Sequence, residues 1–442
     1  MMNHGKLTFK GGVHVPEHKE LTEHKSIEMA KSPQFAYIPI HQHIGAPCDA
    51  IVNVGDKVKI GQKIAESGAF VSASVHASIA GTVKEIKPMF IPTGIKSKCI
   101  VIENDYSEEM YEDLKTNTLD SLTGKEIINI IKENGIAGMG GACFPAHVKF
   151  SVPEDKPIDT VILNGAECEP YLTGDHRLML EYPEQVVFGL KAIKKILNVE
   201  NAVIAVENNK MDAIEALKNV IKEEDGIQVL ALKTKYPQGG EKSIIYAVTG
   251  RSLGTGALPM EVGCVVSNVA TSKAIADAVL LGKPLYERVV TVTGAGIREP
   301  KNIMARIGTP LSELIEQSGG FSGKPGKIIS GGPMMGIAQY YIDAPVIKGS
   351  GGLLVLTEEE AIEKPVLPCI KCGKCIEVCP AGLQPLFISA YALKNNHERA
   401  DSFDAMACIE CGACSYICPA KRPLTESIKG IKKEILAKRK KS

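Results

Sequence analysis

The chain has 442 residues, 44% hydrophobic and 23% charged, the balance of a globular protein too long for a single core. Its 51 basic residues match 51 acidic ones, so net charge argues against nucleic acid or an anionic membrane as partner. No apolar run approaches the ~20 residues of a spanning helix, and "MMNHGKLTFKGGVHVPEHKE" has no apolar stretch of the secretory kind, so a cytoplasmic chain, soluble or peripheral, is expected.

After an N-terminal arm over 1–30, the stretch from Gly45 to Ile86 holds short strand-like segments around "VGDKVKIGQKI". It resembles the barrel-sandwich of biotinyl and lipoyl carriers, whose central hairpin carries a lysine. "ESGAFVSASV" offers no lysine there, so a scaffold over 31–105 is expected rather than a swinging arm. "TGKEIINIIKENGIAG" predicts a helix, with Ile127, Ile128, Ile130 and Ile131 at helical spacing and Gly135 as its stop.

"GMGGACFPAHVKF" follows, from Gly138 to Phe150. It is not a Rossmann fingerprint, because a helix precedes it and Cys143 stands where a third glycine is needed. It is not a P-loop either, since no Gly-Lys-Ser/Thr closes it. "PIDTVILNG" then predicts a buried strand ending at Asn164, with Glu167 and Glu169 just beyond. Helical "VVFGLKAIKKIL", strand "NAVIAVE", helix "MDAIEALKNVIKE" and strand "IQVLALK" continue the alternation. This predicts a parallel α/β domain over 120–284, and ligands of such domains gather beyond the carboxyl ends of the strands. In "YPQGGEKSIIYAVTG", Gly239-Gly240 opens a helix, a natural phosphate site.

From Arg288 to Gly336 strands alternate with one short helix, "TPLSELIEQS". The segment resembles the soluble-ligand-binding β-grasp domain and is expected over 285–345. Its Gly294-Ala295-Gly296 lacks the rest of a dinucleotide fingerprint.

Eight of the 13 cysteines lie between Cys369 and Cys418. An odd, clustered set in such a chain points to metal rather than disulfides. "CIKCGKCIEVCP" and "CIECGACSYICP" both read C-x2-C-x2-C-x3-C-P, the bacterial ferredoxin pattern. Three close thiolates wrap one cube and the fourth, before proline, reaches the other. This assigns Cys369, Cys372, Cys375 and Cys418 to one [4Fe–4S] cluster, and Cys408, Cys411, Cys414 and Cys379 to a second. A pair of zinc sites is the alternative, but C-x2-C pairs would satisfy zinc without the remaining cysteines and prolines. Between the motifs "PLFISAYALKNN" reads as a helix, so a helical double-cluster module is expected over 346–442. The basic end "KGIKKEILAKRKKS" reads as a solvated helix end or tail, with a membrane patch as the alternative, and Cys143, Cys168 and Cys264 read as small packing residues.

"GMGGACFPAHVKF", "NGAECEP", "YPQGGEKSII" and "VVSNVAT" occur in the order and spacing of the FMN- and NADH-binding subunit of respiratory complex I, and the chain resembles that family. The resemblance implies FMN contacts at Gly138, Gly140, Gly141, Lys149, Asn164, Glu167, Gly240, Glu241, Asn268 and Thr271. It also implies that Phe144 and Glu169 face NAD(H). Met139, Ala166 and Lys242 replace the family's arginine, aspartate and second glutamate, and "GTGALPM" lacks its phenylalanine.

With "FKGGVHVPEHKELT" and both cysteine motifs, nearly the whole chain resembles the C subunits of Rnf complexes, membrane-bound ion-pumping ferredoxin:NAD oxidoreductases. That resemblance implies hydride exchange between NAD(H) and FMN and single-electron exchange with two [4Fe–4S] clusters. It implies other Rnf subunits and, through them, ferredoxin as partners, and a peripheral place on the cytoplasmic face of the membrane. Two alternatives stand beside it: a cobalamin-reducing flavoprotein of bacterial microcompartments, and a ferredoxin-like adaptor with a vestigial flavin fold.

Overall fold

The structure is a computed structural model that describes residues 7–112, 114–223 and 226–439. The first residues of the N-terminal arm and the last three of the basic C-terminal end lie outside it.

Strand β1 (Ile27–Met29) is followed by the N-terminal scaffold: β2 (Phe35–Pro39), β3 (Asp49–Ala50), β4 (Lys57–Val58), β5 (Lys63–Glu66), β6 (Val75–His76), β7 (Gly81–Phe90) and β8 (Lys96–Asn104). These form two sheets, ordered β2-β8-β7-β4 and β3-β5-β6. Ile38, Ile64, Val83, Ile100 and Ile102 are fully buried between them. The pattern is that of antiparallel sheets with one apolar face.

Helix α1 (Gly124–Glu133) begins at a Thr123 capping box with Glu126 and hands over at Asn134 to Gly135, whose φ of 62° only glycine adopts readily. Helix α2 (Ala146–Phe150) closes the glycine-rich loop. The parallel sheet then forms from β9 (Thr160–Gly165), β10 (Ala202–Glu207), β11 (Ile227–Leu232) and β12 (Cys264–Asn268), in the order β11-β10-β9-β12. Its crossovers are α3 (Gly174–Glu181), α4 (Pro183–Leu197), α5 (Met211–Val220) and α6 (Glu241–Thr249), and α7 (Val269–Leu281) leaves β12. Every residue of β10 is buried, as a strand covered on both faces requires. Helix α3, within "TGDHRLMLE", has no periodicity strong enough to be read from the sequence; a residue of the loop before it holds its start, as described below.

The third sheet has six strands, ordered β1-β14-β13-β17-β15-β16. Its new members are β13 (Glu287–Thr293), β14 (Lys301–Arg306), β15 (Pro325–Ser330), β16 (Ile337–Ala338) and β17 (Gly352–Thr357), with α8 (Leu311–Gln317) packed on it through Leu311, Leu314 and Ile315. Two of its strands fall outside the 285–345 span expected for it. β17 lies between β13 and β15, and β1 comes from the arm to pair in parallel with β14. Both pairings join distant parts of the chain, which local patterning does not encode.

The C-terminal domain is helical: α9 (Lys374–Glu377), α10 (Pro385–Ala392), α11 (His397–Ser402), α12 (Ala413–Ile417) and α13 (Leu424–Arg439). Ile388, Ala392, Ala400, Ile428, Ile431 and Ile435 form its core.

Candidate functional site

The order of the parallel sheet places the site. From β9 the chain runs outward through β10 and β11, then returns to β12 on the other side of β9. The strand order therefore reverses between β9 and β12, the switch point at which such sheets form a ligand crevice beyond the carboxyl ends of their strands. Asn164 and Asn268 are register partners across it. Asn164 Nδ2 donates to the Gly239 carbonyl at 2.8 Å, and its Oδ1 accepts from Ala166 N at 3.1 Å. Asn268 Oδ1 accepts from the amides of Ala270 and Thr271 and so caps α7, while its Nδ2 donates to Asp175 Oδ2 at 2.6 Å.

The loop from Gly138 to Pro145 folds over this crevice. Gly138 N donates to the Phe144 carbonyl at 2.8 Å, and Met139 N donates to Thr271 Oγ1 at 3.0 Å. A Cβ on Gly140 would stand 2.8 Å from the Asn268 Cβ, so a side chain there would push the loop off the crevice. Gly141 faces open space with a φ of +150°. Helix α2 then brings in Lys149, whose Nζ donates to the Val266 carbonyl at 3.0 Å and to Glu241 Oε1 at 3.1 Å. Glu241 opens α6, with Gly240 as its N-cap. The residues expected from the sequence at Gly138, Gly140, Gly141, Lys149, Asn164, Gly240, Glu241, Asn268 and Thr271 are thus brought to one crevice.

Two acidic residues take other positions. Glu167 adopts a left-handed φ of 46°, and its carboxylate accepts from the amides of Asp175 at 2.6 Å and His176 at 3.1 Å. It caps α3 from outside the helix. Burial, and then the Glu167 charge, push the Asp175 carboxyl above the usual range. Glu169 reaches the loop after β15, accepting from Met334 N at 3.2 Å and Met335 N at 2.8 Å. Burial raises its carboxyl to about 7. Phe144 is half-buried at the closure of the glycine loop, and among the described residues no hydrogen bond or ring contact joins it to Glu169.

Sequence reasoning missed two buried cations under this loop. Lys19, from the arm, donates to the carbonyls of Glu167 at 2.9 Å and Glu169 at 3.1 Å, and also to Leu172. Lys210 donates to the Ala166 carbonyl at 2.8 Å. Around Lys19 the arm is fastened further: His18 stacks on Tyr171 at 4.6 Å, and Tyr171 N donates to the Glu17 carbonyl at 2.7 Å. A lysine in a polar arm carries no sign in the sequence that it will be buried.

The second cysteine motif lies behind the same wall. Gly239 N donates to Cys168 Sγ at 3.3 Å, and the Tyr236 hydroxyl donates to the Cys411 carbonyl at 2.7 Å. Tyr236, Cys411, Cys168, Met334 and Ile409 share one apolar cluster. Burial, then neighbouring cysteines, raise the thiols of Cys411, to about 12, and Cys414, to about 11, and Cys379 is among those neighbours. Cys379 also raises Cys408, after burial. Cys375, raised by burial, has Cys418 and Cys369 as its charged neighbours. Cys379 and Cys408 also pack against one apolar cluster, the neighbourhood that a crossed fourth ligand from the first motif needs. Cys369 and Cys372 are exposed, whereas Cys411 and Cys414 are buried.

These residues fit the groups that the motifs imply. The turns at Gly373 and Gly412 have φ of 77° and 81°, bending the chain as wrapping a cube requires. At the crevice, Gln238 is fully buried with neither amide atom hydrogen-bonded within the protein. A buried amide left so beside Gly239 fits a group that the chain does not itself supply.

Family models match the chain in four places. They are the RnfC barrel sandwich hybrid domain over 7–107, the Nuo51 FMN-binding domain over 131–277, the SLBB domain over 289–338 and a 4Fe-4S dicluster domain over 368–422. The C subunit of the Na(+)-translocating ferredoxin:NAD(+) oxidoreductase complex of Acetobacterium woodii is 48% identical over 441 residues, covering 100% of this chain and 99% of that one. Its counterpart in the proton-translocating complex of Clostridium ljungdahlii is 49% identical over 97% of this chain and 94% of its own. The C subunit of the ion-translocating oxidoreductase complex of Rhodobacter capsulatus is 40% identical over 95% and 82%. Among solved structures, the NAD+-reducing [NiFe]-hydrogenase in its H2-reduced state matches with a TM-score of 0.50 at 17% identity, over 71% of this chain and 61% of that one. That likeness is one of fold.

Proposed function

This chain belongs to the family of C subunits of ion-translocating ferredoxin:NAD(+) oxidoreductase complexes, and from that premise we propose that it is the subunit through which such a complex exchanges electrons with NAD(H). It is an electron-transfer subunit, with FMN and two [4Fe–4S] clusters as its cofactors and other subunits of the complex as its partners. Among the described residues no helix is long and apolar enough to cross a membrane. A peripheral place in the complex, on the cytoplasmic face where NAD(H) and ferredoxin circulate, completes the reading.

The observation that carries the reading is the shared wall. The flavin-type crevice and the second cysteine motif meet at Tyr236, whose neighbours Gly239 and Gly240 line the crevice and whose hydroxyl holds Cys411. FMN held here would supply the exchange between hydride, an electron pair, and the single electrons that each cluster takes. The chain's own residues do the rest by position. Lys149 offers a positive charge beside the carboxyl end of β12, suited to the phosphate or the reduced ring. Gly140 and Gly141 let a planar ring approach the backbone. Glu167 and Asn268 fix the starts of α3 and α7, and Lys19 and Lys210 clamp the loop between Ala166 and Leu172. Phe144, at the open side of the glycine loop, is the candidate contact for the nicotinamide, and Glu169 supports the site from the β-grasp side.

Anaerobic purification with flavin and iron counts tests this. One FMN and about eight iron atoms per chain are expected, with the flavin bleached by NADH. A chain without flavin and without bleaching would be the ferredoxin-like adaptor, and co-purification with shell proteins rather than membrane subunits would favour the microcompartment flavoprotein.

A further inference from the structure

The glycine pair of "FKGGVHVPEHKELT" belongs neither to the crevice nor to the cysteine motifs, yet it lies between them. Gly12 N donates at 2.8 Å to the carbonyl of Val378, the residue before Cys379. One position on, Val13 N donates to the Tyr236 carbonyl at 2.8 Å, and the Val13 carbonyl accepts from Tyr236 N at 2.9 Å. Two neighbouring residues of the arm thus hold the end of the first cysteine motif on one side and the wall of the crevice on the other. Val13 is buried in the apolar cluster of Tyr236 and Cys411, against which Val378 packs. Phe9 is buried as well, and Lys235 Nζ lies 4.6 Å from its ring centroid and donates to its carbonyl at 3.0 Å. The contact leaves no room for side chains. Gly11 has a φ of +77°, and a Cβ there would stand 2.8 Å from the Cys379 carbonyl oxygen and 3.0 Å from that of Val378. A Cβ on Gly12, at φ +80°, would stand 2.7 Å from the Tyr236 carbonyl oxygen. A segment lying loosely on the surface would need neither glycine.

We propose that Gly11, Gly12 and Val13 form a clasp that positions Cys379 against the Tyr236 wall of the crevice, as the fourth ligand of the inner cluster. The proposal rests on the reading that Cys379 completes the cluster of Cys408, Cys411 and Cys414. Those three cysteines arrive on one short turn, and Tyr236 holds that turn through the Cys411 carbonyl. Cys379 comes from the other motif, and the arm ties its backbone to the same wall. Contacts made behind a metal ligand orient it and tune the centre that it completes. They therefore affect both how tightly the cluster is held and its potential. Gly11, Gly12 and Val13 are positioning residues: they act through Cys379 and Tyr236 and take no electron themselves.

Gly11→Ala in the anaerobically purified full chain tests this. The variant should hold the inner cluster about 10- to 100-fold less tightly, read as iron lost to a chelator. The midpoint potential of that cluster's EPR signal should shift as well. FMN content and the signal of the outer cluster, that of Cys369, Cys372, Cys375 and Cys418, should match the parent. Lys235→Met frees Phe9 without altering any residue of the clasp, and it should move the same potential in the same direction by less. An inner cluster with parent potential and parent iron retention in Gly11→Ala would overturn the proposal. Loss of FMN and both clusters together would also overturn it, because the arm would then brace the whole fold rather than one ligand. Cys379→Ala separates the clasp from the ligand reading beneath it. If that variant keeps the inner cluster, the ligand reading fails and the clasp with it. If it loses the inner cluster while Gly11→Ala behaves as the parent, the clasp alone fails.

Discussion

The same cysteine pattern occurs twice and ends in opposite surroundings. At one position in each motif sits a glycine with nearly the same backbone, Gly373 at φ 77° and Gly412 at φ 81°. A Cβ on Gly412 would meet the Met334 carbonyl at 2.9 Å, whereas one on Gly373 would meet nothing within 4 Å. Ligand spacing is local and alike in both. What packs on the turn comes from residues far away in the chain, and it covers only one. The covered motif touches the wall of the flavin-type crevice through Tyr236, and the bare one faces outward. A relay through both would thereby take an order that neither motif carries in its own sequence.

The largest effect that could break this picture concerns the crossed fourth ligands. Cys379→Ala should remove the cluster otherwise held by Cys408, Cys411 and Cys414, and Cys418→Ala the one held by Cys369, Cys372 and Cys375. Low-temperature EPR of the reduced variants reads which signal is lost. Loss in each variant of the cluster belonging to its own motif would collapse the distinction between an inner and an outer centre, since each motif would then stand alone.

A second effect sharpens what braces the inner side. Ile44 N donates to the Cys143 carbonyl at 3.3 Å, so the N-terminal scaffold supports the glycine loop. Its neighbour His43 accepts at Nε2 from Ala73 N at 3.0 Å, which requires a neutral ring. Burial first, then the Lys348 charge, lowers its pKa from 6.5 to about 4. The folded chain then binds fewer protons than the unfolded one between those values. The contribution is complete above pH 6.5 and is lost as pH falls through about 4, worth about 3 kcal/mol. Denaturant titrations across that range should show the parent losing stability relative to His43→Gln as pH falls, a difference from which the opposite slopes of Glu169 and Asp175 cancel. A parent-minus-variant difference flat across the window would rule it out.

The smallest effect is the most local. Lys149→Ala should weaken FMN binding by about 10- to 100-fold, the scale of a hydrogen bond to a charged group. Both iron centres should stay intact, because the Lys149 ammonium bonds to Val266 and Glu241, away from the cysteines. Flavin titration of the apoprotein measures it, and unchanged affinity would remove Lys149 from the site.

What was legible in the sequence was local. The cysteine spacing, the alternation from β9 to β11, the helix start at Gly240 and the glycine loop all follow from residues a few positions apart. The family-like segments then collected most of the crevice. What was not legible depends on contacts that no periodic pattern encodes, most of them between distant parts of the chain. β1 and β17 join the β-grasp sheet from outside its expected span. Helix α3 is held by Glu167, which lies before its first residue and outside its own pattern. Lys19 lies within hydrogen-bonding distance of a loop 148 residues further on, and only folding makes it a buried cation. Glu169 illustrates the same limit. Its place in the chain suggests the nucleotide side, and what the sequence does not show is that its carboxylate also reaches the Met334 and Met335 amides in the turn between β15 and β16.

The order of crevice, inner motif and outer motif is tested most directly by rapid-freeze EPR after mixing with NADH, in chains that each lack one cluster. In Cys372→Ala, the remaining inner cluster should be reduced by NADH as fast as in the parent. In Cys411→Ala, the remaining outer cluster should accept electrons from dithionite but not, on that timescale, from NADH. An outer cluster reduced by NADH at the parent rate in Cys411→Ala, with the inner one left oxidised in Cys372→Ala, would contradict the order.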